Sequence, residues 1–106
     1  MNIFVYIDRS GFSPFEKWLN QLNDKKVKSR ILARFKRVEL DNLGDYKHLE
    51  QGIYEFRFHF GPGYRVYFAK DGNELLILFT AGNKNSQRND ILKALKYYSD
   101  YLKDRE

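Results

Sequence analysis

The sequence predicts an α+β domain in the order βααββββα, with an antiparallel sheet, a two-helix hairpin packed on one face and a C-terminal helix. Three observations lead there. Apolar residues recur at helical spacing from Phe15 to Val38, strict alternation replaces that period from Ile53 to Lys70, and helical spacing returns after Asp90. With 106 residues there is room for one core and one domain, spanning 1–106. The 42% hydrophobic and 17% aromatic content supplies that core.

In chain order, Ile3, Val5 and Ile7 alternate with Phe4 and Tyr6 in a β-branched and aromatic run, a first strand ending at Asp8. Ser13 before Pro14 is an N-cap followed by proline at the first helical position, so a helix starts there. Phe15, Trp18, Leu19 and Leu22 form its apolar face, and Asn23-Asp24 breaks it. A second helix carries Val27, Ile31, Phe35 and Val38 to about Leu40, and residues 41–45 form a loop. A short strand through Lys47-His48-Leu49 precedes the Gln51-Gly52 turn. Tyr54, Phe56, Phe58 and Phe60 then alternate with Ile53, Glu55, Arg57 and His59, and the return strand is Tyr64 to Lys70 beyond Gly61-Pro62-Gly63. Asp71-Gly72 is a second turn, and Leu75 to Thr80 reads as a strand buried on both faces. Ile91, Leu92, Leu95, Tyr98 and Leu102 mark the last helix.

Nineteen Lys and Arg against 14 Asp and Glu leave a formal charge of +5, which favours anionic partners. Cysteine is absent, which excludes disulfides, thiolate zinc sites and thiol catalysis and suits a reducing compartment. The N-terminal run lacks a basic leader and meets Asp8 and Arg9 at once, unlike a signal peptide. No stretch approaches the roughly 18 apolar residues of a membrane-spanning helix. A cytoplasmic protein with no membrane partner is expected.

The positive charge is concentrated. Lys25, Lys26, Lys28, Arg30, Arg34, Lys36 and Arg37 occur between Lys25 and Val38 with no acidic residue among them. The second helix thereby forgoes the Glu–Lys pairs that usually stabilise a surface helix. Lys26, Arg30, Arg34 and Arg37 fall at spacings of four, four and three, one stripe suited to phosphates or to an acidic partner segment, unless it is simply a solvated face.

In the hairpin, pairing Phe60 with Tyr64 sets His59 opposite Arg65 and Arg57 opposite Tyr67. One face then carries Tyr54, Phe56, Phe58, Tyr64, Val66 and Phe68; the other carries Glu55, Arg57, His59, Arg65 and Tyr67. Two arginines, a histidine and a tyrosine are the ingredients of a phosphate clamp with a surface for stacking a base. A solvent face with Glu55–Arg57 pairing is the plainer alternative. The loop Gly82 to Gln87 leads into the last helix and adds Lys84. Lys47 and His48 precede the hairpin. His48 and His59 lack the carboxylate spacing of a metal site, so neither metal nor other cofactor is expected.

The strings Gly52-Ile-Tyr-Glu-Phe-Arg57, Gly61-Pro-Gly-Tyr-Arg65-Val-Tyr-Phe68 and Gly82-Asn-Lys84-Asn-Ser-Gln87 with Asp90-Ile91 resemble the RelE/ParE toxin superfamily. Within it they are nearest the RelE-like, HigB-like addiction-module killer proteins. Phe15 with Trp18-Leu19, and Gly44-Asp45-Tyr46-Lys47, also match, while Asn83 stands where that group usually has Asp. The resemblance implies the toxin of a type II toxin–antitoxin pair that cleaves messenger RNA on the ribosome, by attack of the RNA's 2′-hydroxyl on the adjacent phosphate. Arg57 and Arg65 would hold the non-bridging oxygens and Lys84 would add charge. Lys47, His48 or His59 would carry protons, and Gln87 would orient substrate. Lys26, Arg30, Arg34, Arg37, His59 and Tyr67 would bind RNA. The expected partners are messenger RNA on the ribosome and a cognate antitoxin, a helix-turn-helix protein encoded next to the toxin. The competing readings are a ParE-like poison of DNA gyrase and a nucleic-acid-binding module without activity.

Overall fold

The computed structural model describes residues 1–105. It contains β1 (Asn2–Val5), α1 (Pro14–Gln21), α2 (Lys25–Glu39), β2 (Tyr46–Glu50), β3 (Ile53–Phe58), β4 (Tyr64–Asp71), β5 (Leu75–Asn83) and α3 (Gln87–Asp104), with a 3₁₀ turn at Lys84–Ser86. The α+β class and the element order agree with the reading of the sequence.

Local chemistry explains the helix boundaries. The Ser13 hydroxyl accepts the Glu16 amide at 3.2 Å, and Pro14 opens α1 where its missing N–H costs nothing. Asp24 caps α2 by accepting the amides of Lys26 at 2.9 Å and Val27 at 3.3 Å. The lysines of the first turn of α2 sit at the positive end of the helix dipole, where cations are disfavoured. Lys36 and Arg37 in the last turn are favoured.

The strands form one sheet in the order β1-β5-β4-β3-β2. From β2 to β5 it is the expected antiparallel meander, but β1 docks parallel to β5, with Ile3 opposite Leu76 and Val5 opposite Leu78. The sheet is therefore mixed. Alternation assigns the faces of a strand and says nothing of its neighbour or direction. The connection through α1 and α2 carries the chain from one edge of the sheet to the other. In β5, flanked by β1 and β4, Leu76, Ile77, Leu78 and Phe79 are buried, as its continuous apolar run requires.

Helices cover both faces, the α1–α2 hairpin one and α3 the other. Phe15 of α1 and Ile31, Phe35 and Val38 of α2 pack with Phe56, Phe58, Val66, Phe68, Leu76 and Leu78. On the opposite face Ala94 of α3 joins Tyr6, Ile53, Tyr67, Ala69, Ile77 and Phe79, flanked by Ile91, Leu95, Tyr98 and Tyr101. Of the apolar residues that mark α3, Leu92 and Leu102 face outward.

The β3–β4 register is offset from expectation. Phe58, not Phe60, lies opposite Tyr64, which sets Arg57 against Arg65 and Glu55 against Tyr67. The slip is two residues, so every side chain keeps its face. The turn lengthens to His59–Gly63, closed by the Gly63 amide on the Phe60 carbonyl at 3.1 Å, and Gly61 and Gly63 take left-handed φ values of 57° and 79°. His59 is thus released from the ladder.

Candidate active site on the sheet face

The shorter ladder places two guanidinium groups directly opposite each other, Arg57 on β3 and Arg65 on β4. Like charges in that position oppose strand pairing. Each has its own carboxyl group. Arg57 Nη2 lies 3.3 Å from Asp45 Oδ1, and Arg65 Nε lies 3.6 Å from Glu55 Oε2. Gln87 Nε2 donates to the same Glu55 oxygen at 3.1 Å, tying the start of α3 to the sheet. Glu55 is therefore no solvent-facing partner of Arg57: it is buried, with its side chain only 2% exposed, and it orients Arg65 and Gln87 together.

His59 swings back to the loop just before β2, where its Nε2 hydrogen-bonds Asp45 Oδ2. Asp45 thus sits between an arginine and a histidine. The hydrogen bond from His59 holds the Asp45 carboxyl below its usual range, and the charge of Arg57 acts in the same direction. A carboxylate with a depressed pKa stabilises the fold above its ordinary value of 3.8 and loses that contribution as pH falls through the lowered value. Acid titration followed by circular dichroism should therefore show wild type losing stability relative to Asp45→Asn below that pH. Identical profiles would mean that the Asp45–His59 contact is absent in solution.

Lys84 joins the cluster from the far side of the turn. A Cβ on Gly63 would stand 3.7 Å from Arg65 Nη1 and 3.8 Å from Lys84 Cβ, so both residues converge on this glycine. Asn83 carries the loop: its side-chain oxygen accepts the amides of Asn85 at 2.8 Å and Ser86 at 3.3 Å. This is the capping work an aspartate would do, so the departure from the killer-protein pattern leaves the turn intact. Lys47 lies opposite Glu55 on β2 and shares this face.

Three of the expected site residues do not join. His48, one position on from Lys47, faces the other side of the sheet with its ring 4.9 Å from Tyr54. Tyr67 is on the expected face but wholly buried, so it offers no surface for a base. Burial, reinforced by the charges of Glu55 and Asp90, pushes its phenol pKa up, which keeps it neutral. Arg34 leaves the α2 stripe and turns inward, where it donates to the carbonyls of Leu43, Asp45 and Arg57 and lies 5.1 Å and 4.8 Å from the Phe56 and Phe58 ring centroids. It anchors the loop before β2. Lys26, Arg30 and Arg37 remain exposed.

Arg57 Nε, Arg65 Nε and Tyr67 Oη are buried polar atoms that make no hydrogen bond, Arg65 Nε having only the longer ionic contact with Glu55 at 3.6 Å. Unpaired buried donors are costly, and two of these are on guanidinium groups, which prefer oxyanions. With Lys84 and Lys47 at the rim, the face suits a phosphate group.

The fold and the site thus define a small basic α+β protein with a cationic, arginine-lined sheet face. The chain belongs to the family of phage-derived Gp49-like proteins (DUF891), whose pattern matches residues 17–99. That family is toxin-like, of the RelE/HigB addiction-module type, and the match is to it rather than to RelE or ParE directly. An uncharacterised protein of Haemophilus influenzae is 41% identical over 80 residues, covering 76% of this chain and 81% of that protein. Among the described residues no helix is long and apolar enough to cross a membrane.

Proposed function

We propose that this protein is the toxin of a type II toxin–antitoxin pair, a cytoplasmic endoribonuclease that cuts messenger RNA on the ribosome with basic side chains rather than a metal. The observation that carries this reading is the Arg57–Arg65 pair facing across one ladder with the His59–Asp45 contact beside it. The RNA 2′-oxygen attacks the adjacent phosphorus while the bond to the 5′-oxygen breaks, leaving a 2′,3′-cyclic phosphate and a 5′-hydroxyl. Arg57 and Arg65 hold the non-bridging oxygens, where charge accumulates, and Lys84 adds to the field. His59 Nε2–H points at the Asp45 carboxylate, which leaves Nδ1 free to take the 2′-hydroxyl proton. Lys47 supplies a proton to the leaving oxygen, and Gln87 steadies Arg65 through Glu55. The exposed lysines and arginines of α2 attract the ribosome's RNA, and the cognate antitoxin, a helix-turn-helix protein encoded nearby, blocks this face.

The test is protein stripped of metal with a chelator, freed of the chelator by buffer exchange and then added to translating ribosomes. Messenger RNA fragments ending in a cyclic phosphate are expected. Intact message, or stabilised gyrase–DNA cleavage complexes in a parallel assay, would overturn the reading. Growth arrest on expression should disappear in Lys84→Ala, and its persistence there would remove Lys84 from the mechanism.

A further inference from the structure

A second cationic surface adjoins the first. Arg30 and Arg37 of α2, with Arg57, His59 and Phe60, line a groove of about 420 Å³ between the helix and the end of β3. It falls within the range of roughly 300–1,000 Å³ typical of ligand sites. The guanidinium of Arg30 lies 4.0 Å from the centre of the Phe60 ring, and Phe60 is backed by Tyr64 at 5.7 Å and Phe58 at 5.9 Å. Arg30 thereby presents a flat cationic surface beside an aromatic one. The groove shares Arg57 and His59 with the sheet-face cluster, and the carboxylate at this junction, Asp45, is already engaged by both. A ligand that crosses from one surface to the other therefore carries several negative charges and a planar group. A single-stranded nucleic acid has both; an acidic peptide has only the first.

We propose that this groove binds the nucleotide adjoining the scissile phosphate, with its base against the Arg30–Phe60 pair and its phosphate toward Arg37 and His59. The word scissile rests on the ribonuclease reading; the binding does not. The test uses a fluorescent single-stranded RNA with 2′-O-methyl sugars, which lacks the attacking hydroxyl, and a series in which one abasic nucleotide is moved along it. Arg30→Ala and Phe60→Leu should each weaken binding about tenfold, within what stacking on one platform contributes. Arg88→Ala, on the exposed start of α3 outside the groove, should change it little. With the abasic nucleotide at one particular position, most of the Arg30→Ala effect should vanish.

Wild-type affinity in folded Arg30→Ala would overturn the proposal, and so would a loss that no abasic position diminishes. If Phe60→Leu melts early because its aromatic neighbours lose a partner, Arg30→Ala still decides. Should polyglutamate bind in an Arg30-dependent way while RNA binding ignores Arg30, the groove is a peptide site and the proposal fails. If wild type never cleaves message yet the Arg30 and abasic effects appear, the ribonuclease reading fails and the groove stands.

Discussion

Arg57→Ala is expected to lower the rate of message cleavage about 10²–10³-fold, the usual consequence of removing one preorganised donor from a developing oxyanion. Its side chain is 33% exposed, and the Asp45 carboxylate it leaves behind keeps His59 as a partner. Melting temperature should therefore move little, so the loss reports on chemistry and not on folding. Arg57→Lys keeps the charge without the planar fork and should recover only part of the rate. Arg65→Ala is a less clean probe. It strips a buried carboxyl group of its cation, and a drop in stability should accompany the loss of activity. Cleavage by Arg57→Ala at the wild-type rate would show that the two opposed arginines are not the phosphate site.

Gly82→Ala should have the largest effect on stability. Gly82 lies opposite Arg65 on β5, and a Cβ there would fall 1.9 Å from Asp90 Oδ2 and 2.5 Å from Ser86 Oγ. The obstruction is a short buried side chain at the start of α3, hydrogen-bonded to Ser86, with little room to move. Overpacking together with one broken buried hydrogen bond should cost about 2–4 kcal/mol. For a domain of this size that lowers the melting temperature by on the order of 10 °C or more. Adding Asp90→Ala removes the obstacle, so the double variant should be more stable than the sum of the two single effects. Strict additivity by calorimetry would mean that the glycine and the carboxylate are not in contact.

Much of the candidate site is legible in the sequence because it lies on one strand pair. A period of two assigns Glu55, Arg57, Arg65 and Tyr67 to a common face whatever the register, which is why a two-residue slip left the cluster in place. The same rule, applied to neighbouring residues, separates Lys47 from His48. Asp45 was not singled out. It belongs to a loop with no periodicity, and only the five-residue turn that frees His59 brings the two together.

Composition and local pattern thus determined the α+β class, the order of the elements, the cap of α1, the two faces of the hairpin and the concentration of charge on α2. These follow from nearest-neighbour chemistry, which a linear sequence records directly. Tertiary structure alone decided that β1 runs parallel beside β5, that α3 covers the face opposite the helical hairpin, and that Arg34 and Tyr67 are buried while Arg30 and Arg57 border one groove. Each of those outcomes turns on which distant segments exclude water from one another, and an arginine four residues from its neighbour on a helix looks the same in the sequence whether it meets solvent or three backbone carbonyls.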